Sequence, residues 1–167
     1  MIFRRHFVLV AVAATLTGTA SAQTLEAPKD RPILTISGKI GLTNGGQVAR
    51  FDMKMIEALP QHSFTTRTPW FDKPVTFTGP LLADVLAAVK ANGTTVSAIA
   101  INDYKISIPV SDTQHKPIVA RLLDGKPMPV REKGPLFVVY PFDSNPALRS
   151  STYYERSIWQ LKAIDIL

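Results

Sequence analysis

The chain has 167 residues, 46% of them hydrophobic and 19% charged, with no cysteine and a formal net charge of +6. That length suits one compact domain, and the apolar share excludes an intrinsically disordered chain. The lack of cysteine excludes a disulfide scaffold, a thiolate metal site and a cysteine nucleophile, and no run of four Lys/Arg offers a nucleic-acid footprint.

Arg4, Arg5 and His6 precede an apolar run from Phe7 to Leu16, and Ala20-Ser21-Ala22 supplies small residues for cleavage before Gln23. This is the pattern of a secretory signal peptide over residues 1–22. The run falls short of the ~20 apolar residues that cross a bilayer. The expectation is a chain exported to a bacterial periplasm and not embedded in a membrane after cleavage. Loss of Arg4 and Arg5 would leave 17 basic against 13 acidic residues, a net +4.

Residues 23–31 read as a polar leader and 32–167 as a single domain. Ile33 to Ile40 is β-rich, and Asn44-Gly45-Gly46 joins it to Val48–Phe51 in a hairpin pattern. Asp52 is placed to cap a short helix carrying Met53, Ile56 and Leu59, ended by Pro60. Ser63 to Trp70 reads as a strand, Asp72-Lys73-Pro74 as a turn, and Val75 to Phe77 as a further strand. Pro80 opens the most periodic helix, with Leu81, Leu82, Val85, Leu86 and Val89 on one face and Asn92-Gly93 as its stop. Val96–Ile101 and Tyr104–Val110 form a strand pair about Asn102-Asp103, and Ile118–Leu123 is one strand closed by Asp124-Gly125. The continuous apolar run Leu136–Tyr140 predicts a central strand, and Leu161–Leu167 a closing one. The class is α+β, a mixed β-sheet with few short helices.

No catalytic set emerges. His62 and His115 stand 53 positions apart with neither HxH nor HExxH. There is no GxSxG elbow and no GxGxxG opening a helix. The aromatic residues Trp70, Tyr104, Tyr140, Tyr153, Tyr154 and Trp159 could line a groove with Arg67, Arg131, Lys133, Arg149 and Arg156.

Several segments resemble the sulfite-oxidase-like molybdopterin-binding domain family. Asp124-Gly125-Lys126-Pro127-Met128-Pro129 and Gly134-Pro135-Leu136-Phe137-Val138-Val139-Tyr140-Pro141 look like its turn and buried strand. Phe77-Thr78-Gly79 with Leu82, Val85 and Leu86, then Asn102-Asp103-Tyr104 with Pro109, then Trp159-Gln160-Leu161 with Ile164, follow in the family's order. The resemblance implies that family's fold and a molybdopterin site whose metal is ligated by a cysteine upstream of Phe77. In this sequence the corresponding segment is His62 to Thr68, with Thr65 or Thr66 at the approximate ligand position. An alcohol is a far poorer metal ligand than a thiolate. The glycine-proline turn is one residue shorter than in the family, and Phe137 replaces its arginine.

The expectation is therefore a non-catalytic domain without a cofactor, binding a small anionic ligand or a periplasmic or membrane protein, as an accessory to a membrane sensor. The alternative is a molybdopterin-dependent oxidoreductase, or a subunit of one, with non-thiolate ligation. Arg67, Trp70, Asn102, Tyr104, Arg131 and Lys133 are expected to line the pocket, and Trp159 to be a core plug beside the closing strand.

Overall fold

The computed structural model describes residues 25–167, so the signal-peptide reading lies outside the described residues. In chain order the elements are β1 (Leu34–Gly38), β2 (Ala49–Phe51), α1 (Met53–Ala58), β3 (Gln61–Thr68), β4 (Phe71–Pro80), α2 (Leu82–Ala88), β5 (Thr95–Ala100) and β6 (Lys105–Pro109). There follow a 3-10 segment Val110–His115, β7 (Ile118–Ala120), β8 (Leu122–Leu123), β9 (Lys126–Pro127), β10 (Phe137–Val139), α3 (Ser151–Arg156) and β11 (Leu161–Ile166). Short 3-10 turns also occupy Val130–Glu132 and Pro146–Leu148. Among the described residues no helix is long and apolar enough to cross a membrane.

The largest sheet has the order β2-β1-β11-β5-β6. Its β1–β2 hairpin is fixed by Asn44, whose side-chain oxygen accepts the Arg50 N–H at 2.8 Å while its amide donates to the Glu26 and Arg50 carbonyls. Asp52, 1% exposed, caps α1 through the Met55 N–H and also accepts the Lys29 and Asp30 N–H groups. One carboxylate thus ties the leader to the start of the helix. β11 was expected to close the sheet. It lies at the centre instead, parallel to β1 and antiparallel to β5, because Leu161, Ile164 and Ile166 bury into the core shared with Ile36, Val96 and Val85.

The run Leu136–Tyr140 is buried but not central to a large sheet: among the named strands β10 pairs with β7, Phe137 opposite Ala120 and Val139 opposite Ile118. This two-stranded sheet separates two cores. Val119, Leu136 and Val138 point into the first, and Ile118, Ala120, Phe137 and Val139 into the second. Burial on both faces is what makes the segment continuously apolar.

The remaining sheet, β3-β4-β8-β9, corrects three boundaries. Asp72-Lys73-Pro74 lies within β4, whereas the turn falls at Pro69-Trp70. Pro80 ends β4, and α2 starts after Leu81. Ile118–Leu123 divides at Arg121 into β7 and β8, which belong to different sheets. Gly79 is where β4 crosses β7, and a Cβ there would collide with the Val119 carbonyl. The α2 helix ends before Asn92-Gly93, with Lys90 at φ 49° and Ala91 N–H bonded back to the Leu86 carbonyl at 3.0 Å.

Candidate functional site

Four segments converge at one end of the molecule. The β3–β4 turn brings Trp70, the end of β5 and its turn into β6 bring Asn102 and Tyr104, α3 brings Tyr154 and Glu155, and the stretch before β11 brings Ser157, Ile158 and Trp159. They enclose a cleft of about 440 Å³, within the range of small-molecule sites.

Trp70 organises its wall. Its ring meets Trp159 at 5.6 Å and 78°, Tyr154 at 6.1 Å and 80°, and Phe137 at 5.5 Å and 61°. Edge-to-face contacts of this kind fix ring orientation and add stability beyond area burial. Trp159 is not the expected core plug. It is 37% exposed: its backbone meets β10 in an isolated bridge at Phe137, and its ring rests against Trp70 and Phe137 on the cleft wall.

The predicted pocket residues divide. Trp70, Asn102 and Tyr104 share the cleft. Lys133 is not among the lining residues, its Nζ standing 4.0 Å from the Trp159 ring centre and 5.9 Å from that of Phe71. Partial burial without a carboxylate partner pushes its pKa down. Arg67 is exposed on β3 and lines no part of the cleft, its N–H donated to Asp143 at 2.9 Å. Arg131 is exposed too, 3.5 Å from Glu132. Sequence reasoning missed Glu155, Ser157 and Ile158. The aromatic density of Tyr153–Trp159 was the available signal.

Beneath α3 lies a buried polar cluster. Asp112 accepts the Tyr140 hydroxyl at 2.7 Å and Arg156 Nη1 at 2.9 Å. Burial, reinforced by the bond to Asp112, pushes the Tyr140 phenol far above its ordinary range, so it serves as a fixed donor. On the same helix the Tyr153 hydroxyl lies 3.2 Å from His115 Nε2. His115 and His62, distant in sequence, border a second cleft of about 460 Å³, where His62 faces Asp84 at 3.7 Å. Among the described residues no group of three or more His, Cys, Asp or Glu side chains could hold a metal ion.

In the segment expected to hold the ligand position, the Thr65 and Thr66 hydroxyls are both engaged. Thr66 is fully buried; its Oγ1 accepts the Asp143 N–H at 3.0 Å and donates to the Arg67 carbonyl at 3.3 Å. Thr65 Oγ1 pairs with Thr76 Oγ1 at 2.8 Å. Asp143, held below the usual carboxylate range by the Arg67 N–H and by Arg149, closes over this segment. These residues do not fit a molybdenum ligand set: each hydroxyl already has a protein partner, and neither is a thiolate.

Mixed sheets with few short helices, wound about a doubly buried strand pair, give the chain an α+β fold of the sulfite-oxidase-like type. Among solved structures it is similar to the sulfane dehydrogenase SoxCD from Paracoccus pantotrophus, with a TM-score of 0.59 and 14% identity. The match covers 80% of this chain and 37% of that one, so the chain spans well under half the length of the structure it resembles. No family model matches the chain, and no curated protein matches it in sequence.

Proposed function

We propose that this chain is a non-catalytic ligand-binding module of the periplasm, built on a sulfite-oxidase-like fold and using the aromatic cleft as its site. The observation that carries this reading is that two exposed aromatic side chains stand on the wall of one cleft. Among the described residues the exposed large hydrophobic side chains are Ile101, Tyr104, Val130, Trp159 and Leu167. Tyr104 and Trp159 line the cleft. Ile101, which precedes the lining residue Asn102, and Val130 are both held by Gln160, whose carbonyl accepts the Ile101 N–H at 2.9 Å and whose amide donates to the Val130 carbonyl at 2.6 Å. Clustered apolar side chains around a concavity mark binding surfaces. The engaged hydroxyls of Thr65 and Thr66 support the non-catalytic half of the reading, and the basic-then-apolar N-terminal pattern supports export.

Both tryptophans of the chain, Trp70 and Trp159, line the cleft, so intrinsic indole emission reports on this site. Screening a panel of small aromatic, aliphatic and ionic compounds should give a saturable emission change that Trp159→Leu abolishes. No response across the panel would overturn the reading. The second reading, a molybdopterin oxidoreductase subunit, is favoured by the neighbour being a dehydrogenase. Near-stoichiometric molybdenum in protein from a molybdenum-replete host would establish it in place of the first.

A further inference from the structure

We propose that the occupant of the cleft is a small organic cation of the methylated or quaternary ammonium class, an inference that rests on the cleft being a binding site. Trp159 and Tyr154 both stand nearly perpendicular to Trp70, so three rings make a corner, and Tyr104 adds a fourth exposed ring. Aromatic faces carry the negative end of the ring quadrupole and attract cations within about 6 Å. This protein already uses that attraction: Lys133, outside the cleft, sits 4.0 Å from the centre of the Trp159 ring.

The charges point the same way. The lining contains no Lys, Arg or His, and its only ionisable acid is Glu155, whose carboxylate makes no ion pair or hydrogen bond with any described residue. Neighbouring acids are neutralised, Asp103 by Lys162 at 2.7 Å and Asp112 by Arg156 at 2.9 Å. An anion entering here would meet the Glu155 carboxylate, the one charged side chain of the lining. The nearest cations are engaged with other groups, Lys133 on the Trp159 ring and Arg156 on Asp112.

Methylation suits a wall made mainly of aromatic rings. A primary ammonium brings three donors that need acceptors once desolvated. Ser157, 3% exposed, donates its hydroxyl to the Tyr153 carbonyl at 2.8 Å, and Asn102 Oδ1 already accepts the Tyr104 N–H at 3.2 Å, so aromatic rings and the Glu155 carboxylate make up most of what the wall offers an ammonium. A methylated ammonium carries charge without those demands, and rings with one carboxylate suffice for it.

The test is titration of the intact protein with choline and with 3,3-dimethylbutan-1-ol, its uncharged isostere, read by indole emission. Choline should bind about tenfold more tightly than the isostere, the gain expected of a cation against aromatic faces. Glu155→Gln and Tyr104→Leu, both at exposed positions, should each weaken choline about threefold or more while leaving the melting temperature unchanged. Equal affinity for the two compounds would overturn the cation class while leaving the cleft as a binding site. Choline affinity unaltered by both variants would place the cation elsewhere and overturn the inference. No choline response, with another panel compound binding in a Trp159-dependent manner, would also overturn it without touching the proposed function.

Discussion

Trp159→Ala separates a cleft wall from a core residue. A tryptophan offers up to about 250 Å² of surface. With 37% of it exposed, about 160 Å² is covered, with Trp70, Phe137 and Lys133 among its neighbours. At ~25 cal/mol per Å² that is about 4 kcal/mol. A compact unfolded chain lowers this to about 3 kcal/mol, and the retained alanine methyl removes a little more. The variant should therefore lose about 2–3 kcal/mol, less than the 3–5 kcal/mol typical of a fully buried aromatic truncation. In a urea melt with a slope of about 2 kcal/mol/M the midpoint should fall by about 1 M. Trp159→Phe should recover more than half of the loss by restoring a ring against Trp70. An unchanged midpoint would mean that the indole merely rests on the surface. A loss beyond about 4 kcal/mol would mean that it is a structural plug, and either result would refute the reasoning.

Arg156→Met leaves the Asp112 carboxylate buried with only the Tyr140 hydroxyl, and should cost about 2–4 kcal/mol by chemical denaturation. Asp112→Asn combined with Arg156→Met should recover at least about 1 kcal/mol of that loss, the coupling expected of a contacting pair. Asp52 is held below its ordinary pKa of 3.8 by the Asp30 and Met55 N–H groups, so its contribution is present at neutral pH and is lost as pH falls below about 4. Thermal melts should accordingly show Asp52→Asn less stable than the parent at about pH 6, with the gap narrowing towards about pH 2.5. Gly79→Ala forces a methyl against the Val119 carbonyl and should cost about 1–3 kcal/mol, measured by urea titration.

Local chemistry was legible in the sequence where a side chain acts on its own neighbours. Asp52 caps α1, Asn44 pins the β1–β2 hairpin, and Asp124-Gly125, both at positive φ, turn β8 into β9. Pairing over long distances was not legible. Nothing local in Leu161–Ile166 distinguishes an edge from the centre, because that depends on β1 arriving in parallel from 128 positions away. The apolar run at Leu136–Tyr140 signalled burial on two faces, which a two-stranded layer between two cores meets as well as the middle of a large sheet does. At the candidate site the turn residues Trp70, Asn102 and Tyr104 were recognisable as a group. Arg67 and Arg131 were not separable from them, since a cation on a loop reads the same whether its side chain turns inward or out to solvent.

The central claim, that the aromatic cleft is the binding site, is tested most directly by nitrogen-15 NMR of the whole protein against a fragment set containing aromatic, aliphatic, cationic and anionic members. Just two indole N–H signals exist, from Trp70 and Trp159, and both belong to the cleft. Hits should shift both indole signals together with the Asn102 and Tyr104 amides, and leave the His62 and His115 amides of the second cleft in place. Shifts confined to the second cleft, or fragments that bind while both indole signals stay fixed, would contradict the account.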